Sequence, residues 1–362
     1  MNAKIDRFEV AVFQVPTDGP ESDGTLEWDS TTLVLVEAYA GSDVGLGFTY
    51  ASKSAAVLIS EKLQTLVAGR DAMDIPGAWE LMVCSLRNLG RPGISSMAIA
   101  AVDIALWDLK ARLLQLPLVK LLGQVHPAVP AYGSGGFTSY SIARLTDQLG
   151  GWAQSGLPSV KMKIGRDPAQ DLARIRAARE AIGPDTELFV DANGAYSRKQ
   201  ALLQAKDFEA CGVRWFEEPV SSDDLHGLRL MRDRAPASML ISAGEYGYDS
   251  FYFRRMLEAG AVDVLQADAT RCAGITGFMR AGSLCDAFLT PFSAHTAPSI
   301  HRHPCCALAR ALNIEYFYDH YRIEEMFFDG AAKPVQGKLT PDLSHPGLGL
   351  VFKRADAQRY AV

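Results

Sequence analysis

The spacing of apolar residues changes character along this chain. Between Lys4 and Tyr50 apolar and polar positions mix in a strand-like way, in three runs: Lys4–Val15, Thr31–Glu37 and Val44–Tyr50. Three such runs with turn residues between them predict an antiparallel meander. The polar stretch Thr17–Asp29 between the first two predicts a loop. From Ala55 the apolar residues recur at three- and four-residue steps, over Ala55–Val67, Ile75–Leu86 and Ser95–Leu116. That period predicts helices, the last one Ala-rich and amphipathic, with Pro117 as its natural stop. Residues 1–125 therefore form an α+β unit of ordinary domain size.

From Val129 the rhythm becomes strand, helix, strand, helix. A strand at Val129–Tyr132 precedes helices predicted over Ile142–Trp152, Ala169–Ile182, Arg198–Ala210, Leu225–Arg234, Ser250–Ala259, Ile275–Ala287 and Ser299–Leu312, with short apolar runs between them. Strands alternating with helices through short connections imply a parallel sheet, and eight strands with seven intervening helices close as a barrel, over residues 126–320. An open, doubly wound sheet is the alternative, but it collects its ligands at one switch point. Residues 321–362 are richer in Pro and Gly, break the rhythm, and are expected to pack back on the N-terminal unit.

The apolar runs differ from ordinary strands in how they finish. In order they end in Lys161/Lys163, Asp191, Glu217, Glu245, Asp268, His295 and Glu315. Barrel strands converge at their C-terminal ends, so these residues become neighbours around one mouth. Asp191, Glu217 and Glu245 would repel one another unless a cation neutralised them, and an all-oxygen ligand set suits Mg²⁺. Asn193, two residues beyond Asp191, can add a neutral oxygen or a hydrogen bond to a ligand. Glu218 follows Glu217 directly, and only one of the two can face the mouth. Lys161 and Lys163 share a strand face, and two crowded ammonium groups should lower each other's pKa toward that of a general base. On the other side, a carboxylate at Asp268 would fix the tautomer of His295 and raise its basicity.

Charge and composition narrow the function classes. A net charge of −6 without a basic cluster argues against nucleic acid and anionic membranes. No run reaches the roughly 20 apolar residues of a membrane span, and the N-terminus leads into a strand pattern, so a cytoplasmic protein is expected. The six cysteines show no C-x-x-C spacing and are expected to be reduced.

The K-x-K at Lys161/Lys163, the acids Asp191, Glu217 and Glu245, the Asp268–His295 pair and Glu315 together resemble the enolase superfamily, and within it the mandelate racemase subgroup, over most of the chain. The resemblance implies an N-terminal α+β capping domain on a modified TIM barrel, (β/α)₇β, with one Mg²⁺ per subunit. It favours Glu217 over Glu218 as ligand, and implies that Lys163 and His295 flank the substrate α-carbon, that Lys161 holds the substrate carboxylate and that Glu315 hydrogen-bonds it as a donor. It makes the segments carrying Trp28, Phe48 and Tyr50 a lid, and the polar Thr17–Asp29 stretch then fits a hydroxylated substrate. The implied reaction starts with removal of the proton α to a carboxylate. The expectation is dehydration of an aldonate or aldarate to a 2-keto-3-deoxy acid by a homo-oligomer. A 2-hydroxy acid racemase or epimerase is the alternative, and an inactive binding barrel a further one. Muconate-type cycloisomerisation is disfavoured, because that resemblance expects a Lys where His295 stands.

Three weaker motifs stand apart. His301-x-His303 looks like a barrel metal pair of the zinc amidohydrolase kind, but opens the last barrel helix; His303 is kept as a substrate contact. Gly133–Gly136 and Ala273–Gly277 read as anion cradles or as tight turns.

Overall fold

The computed structural model describes residues 3–362. Strands β1 (Arg7–Ser22), β2 (Glu27–Ala40) and β3 (Asp43–Tyr50) pair antiparallel in that order. The expected loop at 17–29 is mostly strand. β1 continues to Ser22, its register with β2 slipping between Pro16 and Glu21, and the reversal at 23–26 is held by Asp23 Oδ1, which accepts from the amides of Thr25 and Leu26 at 2.6 Å each. A ribbon with polar residues on both faces carries no apolar alternation, so the sequence reads as a loop.

The expected helix at 55–67 runs from Ser54 to Val67 with a wider π turn at Ile59–Leu63. Ile75–Ser85 follows, then Ile94–Leu113. This last helix is not amphipathic: 14 of its 20 residues are buried, because it lies between the meander and the barrel helix Gly274–Ala287. It stops at Leu113, and Pro117 starts a further short helix, Leu118–Leu122. Glycines let β3 approach it backbone to backbone. A Cβ on Gly45 would lie 2.2 Å from the Ala105 carbonyl oxygen, and one on Gly47 2.2 Å from that of Ala101. Gly47→Ala is therefore expected to destabilise the chain by about 1–3 kcal/mol or more, measured by denaturant unfolding against the exposed control Gly77→Ala, whose Cβ meets nothing within 4 Å.

The barrel strands are β4 (Val129–Gly135), β5 (Ser159–Lys163), β6 (Glu187–Asp191), β7 (Val213–Glu217), β8 (Leu240–Ala243), β9 (Val264–Ala267), β10 (Phe292–Ala294) and β11 (Ala311–Phe317). Each pairs in parallel with the next, and β11 pairs with β4, closing the ring. Five of the seven predicted helices lie within about two residues of Pro168–Ile182, Arg198–Ala210, Leu225–Arg234, Ser250–Glu258 and Gly274–Ala287. The first, Ile142–Gln154, also starts where expected. The last, Pro298–Cys305, stops well short of Leu312 because Ala311 already begins β11.

Period-two alternation fills the barrel in layers. Tyr132, Phe189, Trp215 and Val264 form an apolar plug, with Trp215 stacked on Phe189 at 5.0 Å between centroids. Two residues further along β6 and β7 come Asp191 and Glu217, so the plug floors the chemistry above it. Outside the ring, Gly133 and Gly135 make neither turn nor anion cradle. They lie within β4, where a Cβ would strike Trp152 and Gln148 of the adjacent helix. At Gly274 the cradle reading holds, but the anion is internal. Buried Asp103 of the helix Ile94–Leu113 accepts from the Thr276 amide at 2.9 Å and the Thr276 hydroxyl at 2.7 Å, capping a barrel helix from the other half of the molecule.

The C-terminal residues touch both halves. Lys338–Leu339 pairs with β4, while the Val362 amide donates to Val12 at 3.1 Å and Phe13 packs on Phe327 at 5.2 Å. Among the described residues no helix is long and apolar enough to cross a membrane, and all six cysteines are free thiols.

Candidate active site

The strand ends bring Asp191, Glu217 and Glu245 into one buried group, with one carboxylate oxygen from each lying within 4.8 Å of the others. Burial first, then the charge of Asp191, pushes Glu217 up to about 8. Glu217 is held from below by Trp215 Nε1 at 3.1 Å and Gln266 Nε2 at 3.0 Å. Between Glu217 and Glu218 the choice is clear in the geometry. Glu217 ends β7 and gives an oxygen to the group, whereas Glu218, its backbone at φ 38°, gives none. Two buried oxygens at the group lack hydrogen bonds, Glu245 Oε2 and Asn193 Oδ1. Uncompensated oxygens beside a carboxylate trio are what a hard divalent cation requires, so the residues fit Mg²⁺.

Both lysines point into this pit. Lys161 Nζ lies 2.5 Å from Glu217, 2.8 Å from Glu315 and 3.5 Å from Asp191; Lys163 Nζ lies 2.5 Å from Asp191. This corrects the expected lowering of their pKa values. Burial does oppose the charged form, but the facing carboxylates outweigh it, and both ammonium groups are held above their usual range. Lys161 repels Lys163 only as a smaller effect.

Opposite them, His295 Nδ1 lies 3.0 Å from Asp268 Oδ2, and its Nε2 lies 3.2 Å from Glu245 Oε2. The second contact is an ion pair without hydrogen-bond alignment, since that oxygen has no bonded partner. Asp268 is fixed in turn by the amide and hydroxyl of Thr270, both at 2.7 Å, and by the Thr296 hydroxyl at 3.2 Å. Burial disfavours a charged imidazole, yet Glu245 foremost, with Glu315 and Asp268, raises His295 to about 9. Burial likewise opposes the Asp268 charge, but the bond to His295 keeps its carboxyl well below the usual range.

Glu315 differs from the expected donor. Its oxygens accept from Ser134 Oγ at 2.6 Å and the Thr296 amide at 3.1 Å, beside Lys161. Against the cost of burial, Lys161 first and then His295 bring it down to about 2, so it is ionised in this arrangement.

Above the pit lies a cavity of about 420 Å³, lined among others by Lys163, Asn193, Glu245, His295, Trp28 and Tyr50. Trp28 Nε1 donates to Glu21 at 3.1 Å and to Asp319 at 3.3 Å, joining the hairpin to the helix Tyr318–Phe327. Tyr50 stacks on His320 at 3.4 Å. His303 is a correction: it is fully buried, lies outside this cavity, and bonds the Leu348 carbonyl at 3.1 Å. Nor is His301 half of a metal pair. Its Nδ1 bonds the Thr296 carbonyl at 2.6 Å and its Nε2 accepts from the Ala269 amide at 2.9 Å.

Sequence reasoning missed several residues of the site. Trp215 and Gln266 stand two positions before Glu217 and Asp268, so period-two alternation alone could have placed them on the inward face. Arg271, which lines the cavity 3.3 Å from Glu245, and His320 carry no such signal, because they come from loop and helix segments beyond the strands.

Comparison with known proteins agrees with this architecture. Residues 144–357 match the family described as enolase C-terminal domain-like, and residues 8–123 match the N-terminal domain of the mandelate racemase / muconate lactonizing enzyme family. The chain is 31% identical, over 97% of its length and 98% of the relative's, to a 3,6-anhydro-alpha-L-galactonate cycloisomerase of Streptomyces coelicolor. It superposes on a mandelate racemase/muconate lactonizing enzyme-like protein from Rubrobacter xylanophilus with a TM-score of 0.97 at 54% identity, covering 99% of this chain and 100% of that one. It also superposes, at a TM-score of 0.91 and 25% identity over 100% of this chain and 94% of the other, on an L-talarate/galactarate dehydratase from Salmonella typhimurium bound to Mg and L-lyxarohydroxamate. With both halves matched and the barrel's carboxylate pit in place, the chain belongs to the mandelate racemase/muconate lactonizing enzyme family of the enolase superfamily.

Proposed function

We propose that this protein is a Mg²⁺-dependent hydro-lyase that converts an acid sugar, an aldonate or aldarate, to a 2-keto-3-deoxy acid. The observation that carries the reading is one cavity lined both by Lys163 and by His295, on different barrel walls above the carboxylate trio. Dehydratases and cycloisomerases of acid sugars among the relatives support it.

Asp191, Glu217 and Glu245 would hold Mg²⁺, which supplies positive charge where the substrate carboxylate gains negative charge. Lys161 would help hold that carboxylate from beneath. With Mg²⁺ offsetting the carboxylates that otherwise hold both groups protonated, one of Lys163 and His295 removes the proton from the α-carbon, and the other gives a proton to the departing β-hydroxyl. Loss of water leaves an enol, which takes a proton at the β-carbon and becomes the 2-keto acid. Asp268 keeps the His295 Nδ1 proton in place, leaving Nε2 to exchange protons with substrate. Glu315 would hydrogen-bond the substrate carboxylate as a donor after gaining a proton, which Lys161 beside it opposes in this arrangement. Trp28, Tyr50 and Asn193 contact the hydroxylated chain from the cavity wall.

The test is incubation with a library of aldonates, aldarates and their lactones plus Mg²⁺, followed by detection of 2-keto acid. At least one aldonate or aldarate is expected to give one equivalent of 2-keto-3-deoxy acid. Consumption of lactones without any keto acid from the open-chain acids would contradict dehydration.

A further inference from the structure

A second cavity, of about 620 Å³, lies beside the mouth. Its walls are the segments following β6, β7 and β8, closed over by Thr25 at the hairpin tip and by Pro92. Neither lysine of the pit lines it, nor does His295, Asp268 or any of the carboxylate trio. Asn193 and Tyr246 line both cavities, so single side chains separate the two.

Its wall holds polar atoms that the protein itself does not satisfy. Glu218 is 1% exposed, yet its Oε1 has no hydrogen-bond partner. The Tyr252 hydroxyl is also out of water and unpaired. Buried polar atoms normally have partners, and an unfilled carboxyl oxygen with an unpaired hydroxyl on one cavity calls for a ligand rich in hydroxyls. Charge narrows the ligand further. Asp223 and Asp249 outnumber Arg255 along the wall, which disfavours a carboxylate or a phosphate. Tyr246, Tyr248 and Tyr252 add flat apolar ring faces suited to the C–H face of a pyranose.

We propose that this cavity is a second binding site, for a neutral polyhydroxylated group such as a hexose unit. Hydroxyls of that group bond Glu218 and the Tyr252 hydroxyl while its ring lies against the tyrosines. The group can arrive as a free sugar, or as a glycosyl unit attached to an acid sugar held in the mouth. The second source rests on the acid-sugar reading above; the first does not.

Calorimetry on the Mg²⁺-loaded protein with maltose, gluconate and maltobionate tests the site and separates its sources. Ser222→Trp fills the cavity, and Tyr252→Phe removes one unpaired hydroxyl while keeping the ring. Maltose binding that Ser222→Trp weakens at least about tenfold and Tyr252→Phe about fivefold supports a free sugar site. Maltobionate binding about tenfold tighter than gluconate, an advantage lost in both variants, supports the glycosyl source. Maltose binding of this kind, with no acid sugar turned over, supports the site and removes the acid-sugar reading. No maltose binding together with no advantage for maltobionate, or binding that neither variant alters, overturns the proposal.

Discussion

Replacing Lys163 by Ala or His295 by Asn is expected to lower kcat by about 10²–10⁴-fold, the range of a lost general acid or base. Both residues line the one cavity that also holds Glu245 and Asn193. Asn at 295 keeps a polar group of similar reach but cannot titrate. The two variants should differ in stability. Lys163 is the 2.5 Å partner of buried Asp191, so its removal leaves that carboxylate facing its neighbours with less positive charge. Lys163→Ala should therefore gain more in Tm from added Mg²⁺ than the unchanged protein does. Steady-state kinetics with thermal melts at several Mg²⁺ concentrations check both statements. Near-normal turnover in either variant would remove that residue from the chemistry.

Chelation is expected to abolish turnover and Mg²⁺ to restore it. Binding to the folded state alone should stabilise the protein by about 2.7 kcal/mol at one hundred times the Kd. Glu217→Gln should weaken Mg²⁺ at least about tenfold, since it removes one of three clustered carboxylates. Glu218→Gln should weaken it much less, because that side chain gives no oxygen to the group. Calorimetric titration of the two variants compares them directly. A larger loss from Glu218→Gln would place the wrong residue on the metal.

What the sequence made legible follows the strength of each local signal. A run such as Leu188–Asp191 is short, apolar and finished by one charged residue, so both the strand and its inward terminus could be read. The boundaries of Arg198–Ala210 and Leu225–Arg234 came out as expected because polar faces and turn residues frame them. Features set by tertiary contact were not legible. The ribbon reaching Ser22 has polar residues on both faces, and Ile94–Leu113 is buried almost all round, so neither shows the period its structure would otherwise impose. Electrostatics was the hardest to foresee. Two lysines in sequence suggest mutual repulsion, but the carboxylates that dominate them come from β6, β7 and β11 and become neighbours only on closure of the ring. His303 was misplaced for a similar reason: nothing in its helix foretold the Leu348 carbonyl that binds it.

The proposed chemistry begins with removal of an α-hydrogen as a proton, and solvent exchange reads that step without waiting for product. Each variant, Lys163→Ala and His295→Asn, is incubated with Mg²⁺ and a turned-over acid sugar in D₂O, and the α-position of the remaining substrate is followed by NMR. α-Proton abstraction by one of the two bases predicts that the variant retaining it exchanges the α-hydrogen for deuterium without eliminating water, while the other does neither. Turnover near that of the unchanged protein in both variants, or equal exchange in both, would contradict it.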